Sequence, residues 1–334
     1  MRRLGFNRCA LTGCVAAAML AGCGGSQPPI GAPGAMPQTH PSAHHATSSG
    51  GDYKVSSGLL FVALSGIRAP YDQVNVYNTR SKDPSPLATI TSGVSYPQSA
   101  CMDGKGTLYV TNQGSGEGWI SEYSLGKTTP AATITNGLSG PGFCAIDSKG
   151  NLWVTNIFTP DVVEYEPGST SPHTTITKGV IYPIGIAIDH FGNIYVVNHG
   201  YTTAETNIVV YKAKHTSPAR TITEGVTYPE GLGVDASATL YLANYIPGNI
   251  EEYRVGQNRP YRAITKEMNG PVAVTFAKDG WFYVSNVGTT GKGGSGPGDV
   301  ILEFPPGSMT ASKHDISKGL GFPSGSAYYP SLLP

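Results

Sequence analysis

The sequence has 334 residues, and only 13% of them are Asp, Glu, Lys or Arg, about half of the usual share. Its formal net charge is zero and no basic patch stands out, which argues against a nucleic acid as partner. The 44 glycines and 26 prolines are typical of short strands joined by tight turns and argue against a helical enzyme.

The first 23 residues are typical of an export signal. Three arginines precede an apolar stretch, residues 9–20, that is too short to span a bilayer. The run Leu-Ala-Gly-Cys that ends at Cys23 matches the bacterial lipobox, in which the thiol is lipidated and becomes the new N-terminus. We therefore expect anchoring to the cell-envelope membrane through Cys23, and Gly24 favours the outer membrane. An ordinary signal peptide that happens to end in cysteine is the alternative.

Residues 24–57 are rich in Pro, Gly, Ser, Ala and His and contain almost no large apolar side chains. Such a composition cannot bury enough apolar surface to fold on its own. We expect this segment to be a flexible tether between the anchor and a folded domain.

An imperfect repeat of about 45 residues fills residues 58–330 and indicates the fold. Its clearest copy is Pro183-Ile-Gly-Ile-Ala-Ile-Asp189, followed by Gly192-Asn-Ile-Tyr195-Val-Val-Asn198. The copies begin at the following prolines: Pro97, Pro141, Pro183, Pro229, Pro271 and Pro323. In each full copy, alternation and β-branched residues predict four short strands, separated by a glycine turn and a variable loop.

Four antiparallel strands per repeat are typical of a propeller blade. Residues 59–95 supply only the last three strands of a blade, and residues 322–330 supply only a first strand. The sequence therefore predicts an all-β, six-bladed β-propeller that closes by pairing its N-terminal and C-terminal strands in one blade, with a tail at 331–334. We expect it to be a monomer.

The repeat resembles the NHL repeat, whose core is Pro-x-Gly-Ile-Ala-Val-Asp followed by Gly-Asn-Ile-Tyr-Val, although the second strand here ends in Asn where the family usually has Asp. The chain is also similar to gluconolactonase-type propellers and to virginiamycin B lyase, whose Gly-Asn-Leu-Trp-Val-Thr stretch matches residues 150–155. The lyase typically has Glu where Asn156 stands. The gluconolactonase resemblance implies a divalent cation, Ca²⁺ or Mg²⁺, on the propeller axis, with Glu230 and some asparagines as part of its ligand set.

One face of the propeller is expected to carry a site. It combines the loops between the second and third strands, here the variable loops, with the loops that lead from a fourth strand to the next first strand, here the entry loops. We name it the loop face. Insertions concentrate in the variable loops, most of all in residues 287–299.

Two rows of repeated residues on this face are candidate ligand contacts. Aromatic residues precede the entry prolines, and they form either a platform for a sugar or peptide or packing between blades: Tyr96, Tyr182, Tyr228 and Phe322. Asparagines end the second strands, and they either reach a central ligand or bond their own loop backbone: Asn112, Asn156, Asn198, Asn244 and Asn286.

Two residues break the repeat in adjacent blades of the same face. His199 follows Asn198, and Glu230 follows Pro229, where other blades carry different residues. A His–carboxylate pair near the axis is a candidate acid and base. The alternative is a rim histidine beside a solvated glutamate.

Cys9 and Cys14 are lost with the signal peptide and Cys23 is lipidated, which leaves Cys101 and Cys144 on the first strands of neighbouring blades. Their offsets point them to opposite sheet faces, and opposite faces of adjacent blades meet. Either a disulfide between blades or two buried thiols fits this pattern.

Three functions remain open on these residues. The first is a non-enzymatic binding module that presents the loop face to an envelope protein or glycan. The second is a metal-assisted lyase or lactonase. The third is a structural scaffold of the envelope without a small ligand.

Overall fold

The computed structural model describes residues 51–65, 72–200, 202, 205–288 and 299–332. The predicted signal peptide with Cys23, most of the predicted tether and most of the 287–299 insertion lie outside these ranges. Among the described residues, no helix is long and apolar enough to cross a membrane.

The described residues contain 23 strands in six sheets, and each sheet is one blade of a propeller. Blade 1 has β1 (Leu59–Leu64), β2 (Gln73–Asn78), β3 (Ala88–Ile90) and β23 (Pro323–Tyr329). Blade 2 has β4 (Pro97–Met102), β5 (Thr107–Asn112), β6 (Trp119–Ser124) and β7 (Ala132–Ile134). Blade 3 has β8 (Pro141–Ile146), β9 (Leu152–Asn156), β10 (Asp161–Tyr165) and β11 (Thr174–Ile176).

The remaining strands form blades 4 to 6. Blade 4 has β12 (Pro183–Ile188), β13 (Ile194–Asn198), β14 (Asn207–Tyr211) and β15 (Pro218–Ile222). Blade 5 has β16 (Tyr228–Val234), β17 (Leu240–Ile246), β18 (Asn249–Tyr253) and β19 (Arg262–Ile264). Blade 6 has β20 (Pro271–Phe276), β21 (Phe282–Asn286) and β22 (Val300–Phe304).

The outermost strand of blade 6 is reduced to one bridge, in which Ile301 and Ile316 exchange both backbone hydrogen bonds. Asp315 precedes Ile316, where the fourth strands of the other blades have Thr or Ala. Asp is unfavourable in strands, and here its carboxylate accepts a hydrogen bond from the Glu303 N–H instead. The predicted six-bladed propeller is confirmed, with this one strand shortened.

The ring closes as the sequence predicts, because β1 pairs antiparallel with β23 in blade 1. Leu59 faces Tyr329 and Phe61 faces Ala327 in this register. The pairing ties the two ends of the domain into one sheet and leaves neither strand as an open edge.

The first strands crowd around the axis, and glycine permits this approach. A Cβ on Gly185 of β12 would lie 2.5 Å from the carbonyl oxygen of Glu230 in the next blade. A Cβ on Gly231 would lie 2.4 Å from the carbonyl oxygen of Val272 in the blade after that. Apolar side chains from neighbouring sheets fill the space farther out.

A tyrosine near the end of the third strand joins each of blades 1 to 5 to the preceding blade. Its hydroxyl donates a hydrogen bond, 2.6–2.9 Å long, to a backbone carbonyl in that blade's entry loop. The donors are Tyr77, Tyr123, Tyr165, Tyr211 and Tyr253, and their acceptors are Lys318, Ser92, Asn136, Lys178 and Glu224. Blade 6 has Phe304 at this position. We call these five bonds the tyrosine latches.

The hydroxyl of Tyr211 belongs to a side chain without solvent exposure, and it lies 2.6 Å from the Lys178 carbonyl oxygen. We predict that Y211F lowers the free energy of unfolding by about 1 kcal/mol, because it removes one buried hydrogen bond and leaves the ring in place. Chemical denaturation measures this change. Y329F is the matched control, since Tyr329 packs against the core without a hydroxyl hydrogen bond in the described residues. Equal losses in the two variants would contradict the latch.

The end of the predicted tether packs on the propeller. The ring of Tyr53 is buried against Phe61, and its N–H bonds the Gly126 carbonyl oxygen at 3.0 Å. Asp52 pairs with Lys127 in the same loop. The composition indicated that the tether ends at residue 57. The chain already contacts the domain before that residue, because Tyr53 packs between blades 1 and 2.

The structure joins Cys101 of β4 and Cys144 of β8 in a disulfide between blades 2 and 3, with their Cα atoms 5.9 Å apart. The disulfide links the first strands of these two blades, β4 and β8. It closes a loop of 43 residues.

We predict that a denatured chain spanning residues 50–334, prepared under oxidising conditions, shows no free thiol before reduction and two after it. Thiol titration in denaturant measures this. Two free thiols before reduction would rule the disulfide out. The oxidised form is also expected to be about 2–4 kcal/mol more stable than a C101A/C144A variant, because the cross-link restricts the unfolded chain.

Candidate functional site

Backbone hydrogen bonds join the two loop sets on one face, as predicted. The residue after the second strand donates its N–H to the residue before the first strand of the same blade, at 2.9–3.1 Å. His199 bonds Tyr182 in this way, and Gln113 bonds Tyr96. Each variable loop is therefore attached to the entry loop beside it, and both end near the axis.

The asparagine row holds loop backbone. In each of the five residues, Oδ1 accepts an N–H from the entry loop at 2.8–3.2 Å. The residues are Asn112, Asn156, Asn198, Asn244 and Asn286, all at most 2% exposed. The Nδ2 groups of Asn156, Asn198 and Asn244 also donate to a glycine carbonyl of that loop at 2.8 Å. The described contacts of these amides are therefore with loop backbone, which is one of the two interpretations of this row.

The aromatic row does not act as one ring. Tyr96 is partly exposed, adopts a positive φ of 50°, and its N–H bonds Asp72. Phe322 has a similar φ of 57°, and its N–H bonds Asp299. Tyr182 and Tyr228 instead belong to a cluster on blades 4 and 5.

Four rings make up this cluster, here called the axial aromatic cluster: Tyr182, His199, Tyr228 and Tyr245. The His199 and Tyr228 rings are perpendicular, with centroids 4.3 Å apart. Tyr228 lies 6.0 Å from Tyr245, and Tyr182 lies 6.4 Å from His199. Sequence reasoning did not select Tyr245. Its position in the repeat could have identified it, because Tyr245 follows Asn244 just as His199 follows Asn198.

Glu230 lies at the start of β16, next to this cluster, and is 5% exposed. Its Oε1 is buried and has no hydrogen-bond partner. Burial raises the pKa of Glu230 well above the ordinary value of a glutamate. After burial, which is the largest cause, the charge of Glu230 also raises the phenol pKa values of Tyr228 and Tyr245. An acceptor without a donor therefore stands beside two tyrosines.

His199 and Glu230 do not form the acid–base pair that the sequence suggested. The Nδ1 of His199 donates to the carbonyl oxygen of Pro229 at 3.0 Å, which fixes the proton on Nδ1 in the neutral ring. Burial lowers the pKa of His199 and outweighs this hydrogen bond. The two residues lie in adjacent blades as predicted, but the ring bonds the backbone just before Glu230 rather than its carboxyl group.

The surroundings of Glu230 do not fit the divalent cation that the gluconolactonase resemblance implied. Among the described residues, no three His, Cys, Asp or Glu side chains come together as metal ligands. The asparagine amides that would complete a ligand set bond loop backbone. Ca²⁺ and Mg²⁺ need several oxygen ligands.

A second polar group on the loop face also lacks a partner. Gln113 is 4% exposed, and its Nε2 has no hydrogen-bond acceptor. It occupies the repeat position of His199 and Tyr245, in blade 2. Buried polar groups in folded proteins are almost always hydrogen-bonded. Gln113 and Glu230 are two of five exceptions among the described residues, and the others are Glu252, Arg262 and Ser285.

The other end of the axis has a different character. A cavity of about 150 Å³ lies among the second halves of the six first strands, and the Cys101–Cys144 disulfide lines it. Its lining is mainly apolar side chains and backbone. Phe143 lines the end nearest the loop face, where its ring reaches Gly231 across the axis. Glu230 and Gln113 therefore lie toward the loop-face end, and the cavity lies toward the opposite end.

No family model and no curated protein matches the sequence. Solved structures do match. A protein of unknown function from Bacteroides caccae aligns with a TM-score of 0.61 at 12% identity, over 81% of this chain and 98% of that one. A chain of the nidogen/laminin complex aligns with a TM-score of 0.63 at 17% identity, over 80% and 97%.

The hydrazine synthase of Kuenenia stuttgartiensis aligns with a TM-score of 0.52 at 16% identity, over 65% of this chain and 64% of that one. Identities this low support a shared fold and no shared activity. The chain is a six-bladed β-propeller. Its candidate functional site is the axial aromatic cluster together with Glu230.

We predict that the stability advantage of E230Q over the native chain grows as pH rises from about 4 to 8. The folded state holds the Glu230 proton to a higher pH than the unfolded chain, whose glutamate pKa is about 4.3, so native stability falls with pH. Gln cannot ionise, so E230Q does not lose this stability. The difference in free energy of unfolding between E230Q and the native chain should reach about 1.4 kcal/mol per unit of pKa shift.

Chemical denaturation at several pH values measures this difference. The control is E117Q, because Glu117 is an exposed glutamate on the same face. A difference for E230Q that stays constant with pH would contradict the buried, unpaired carboxyl group.

Proposed function

We propose that this protein is a lipid-anchored binding module of the bacterial cell envelope that presents its loop face to an envelope protein or glycan. The observation that carries the proposal is the pair of buried polar groups on that face, Glu230 and Gln113, which lack partners within the described chain. A bound ligand would supply those partners. An NHL-type repeat, anchoring through Cys23 and an outer-membrane location are parts of the same proposal.

The described end of the N-terminal segment contacts the propeller away from the loop face. Tyr53 bonds Gly126, which lies in the loop between the third and fourth strands of blade 2. Those loops are on the opposite end of the blades from the variable and entry loops. The described chain therefore enters the domain at the end of the blades opposite the loop face.

Binding fits the site better than lyase or lactonase chemistry does. His199 is fixed to a backbone carbonyl, and Glu230 bonds neither His199 nor another described titratable group. One structural neighbour, the nidogen/laminin complex, was solved as an assembly of two proteins. That likeness supports binding as a use of this architecture, without indicating the same partner.

Exposed apolar side chains on both faces allow a matched test. Phe158 and Ile246 lie on the loop face and are 47% and 41% exposed. Phe191 and Val255 lie on the opposite face and are 59% and 48% exposed. We predict that F158E/I246E reduces capture of the envelope partner at least about tenfold, because it places charges in an interface core, where they are unfavourable.

The F191E/V255E variant should keep native capture. The measurement uses the full chain on a glycan array and on envelope fractions, with binding quantified for all three proteins. Loss of binding in the opposite-face variant alone would show that the proposed face is wrong, and unchanged binding in the loop-face variant would do the same.

A further inference from the structure

We propose that the loop-face site at Glu230 binds a protonated organic amine, with its N–H groups on the Glu230 carboxylate and its charge against the Tyr228 and Tyr245 rings. This rests on the proposed function, because it names the ligand chemistry of that same face. The amine belongs to a lysine side chain, an amino sugar or a polyamine, which share the ammonium group.

The first step is the missing donor. Glu230 Oε1 is buried without a hydrogen-bond partner, and only burial is a resolved cause of its altered pKa. No described lysine or arginine forms an ion pair with Glu230. A ligand that adds both a positive charge and a hydrogen-bond donor satisfies the carboxylate, since charge-assisted bonds are the strong ones.

The second step is the aromatic surroundings. Tyr228 and Tyr245 flank Glu230, and the two rings are tilted by 46° with centroids 6.0 Å apart. Ring faces attract cations, most strongly where water is excluded. Tyr228 and His199 are partly exposed at the loop face, whereas Glu230 Oε1 is buried.

The third step is the sign of the neighbouring charges. The phenol pKa of Tyr245 is raised by burial first and then by Glu230, Tyr228 and Asp299. Asp299 comes from blade 6, and burial raises its pKa as well. His199 is the basic side chain of the cluster, and burial favours its neutral form. The described groups around the site thus favour a cation and disfavour an anion.

Hydrogen bonding distinguishes the type of amine. A quaternary ammonium has no N–H and would leave Oε1 unsatisfied, whereas a primary ammonium donates to it. Because the carboxylate is the form that pairs with a cation, binding should also release the proton that burial retains on Glu230.

The test uses the full chain and three probes of similar size: n-butylammonium, tetramethylammonium and n-butanol. Ligand-observed NMR titration should show n-butylammonium binding at least about tenfold more tightly than either other probe, because it alone combines charge with N–H donors. Equal binding of n-butanol would overturn the need for a cation. Equal binding of tetramethylammonium would overturn the hydrogen bond to Glu230.

Variants locate the site. E230Q should weaken n-butylammonium binding at least about tenfold, and E117Q should leave it unchanged. Y228L should weaken it about 3- to 30-fold while Y228F retains it, because Phe keeps the ring face and Leu does not. Unchanged binding in both E230Q and Y228L would overturn the proposal even if one of the two variants folded poorly.

Calorimetry in two buffers of different ionisation heat tests proton release. A buffer-dependent heat for n-butylammonium that disappears in E230Q supports the coupling, and a buffer-independent heat overturns it. Failure of all amine probes, with F158E/I246E still abolishing envelope binding, would refute the ligand class and leave the proposed function standing. If F158E/I246E leaves envelope binding unchanged while n-butylammonium still binds, the proposed function is refuted and the ligand class stands.

Discussion

The tyrosine latches are the contact on which the rest of this propeller depends. A blade packs mainly against its two neighbours, so the ring is as well defined as its blade-to-blade bonds. Each latch ties a third-strand hydroxyl to an entry-loop carbonyl, and burial raises the pKa of Tyr77, Tyr123 and Tyr211 to about 12, which keeps them neutral donors. The same entry loops are held on their inner side by the asparagine row. Together these bonds position the residues that start each first strand.

The candidate site is a local departure from that regular scheme. Where the other blades place an uncharged residue after the entry proline, blade 5 places Glu230, and its neighbours contribute aromatic rings instead of a counter-charge. An unpaired buried carboxyl group is unfavourable for folding. Such a group fits a site whose partner arrives from outside the chain, and the rigid ring of first strands beneath it limits how far the site can relax.

The two ends of the axis serve different purposes. At one end, the disulfide and the cavity lie among apolar side chains and backbone of the first strands, and the disulfide joins blades 2 and 3. At the other end, Gln113, Glu230 and the axial aromatic cluster leave polar groups unsatisfied. This division separates the part of the ring that holds the domain together from the part that is available to a ligand.

The sequence by itself determined the number of blades, the strand order and the closure, because strand periodicity and turn residues are local and repeat about every 45 positions. It also placed His199 and Glu230 on adjacent blades. The tertiary structure decided what their side chains contact: His199 bonds a backbone carbonyl, and Tyr245 joins the cluster. It likewise decided that the asparagines hold loops and that Asp315 shortens one strand. Whether such a contact forms depends on differences of a few tenths of an ångström in the distance between two residues. Those residues can be far apart in the chain, and no repeat pattern encodes that distance.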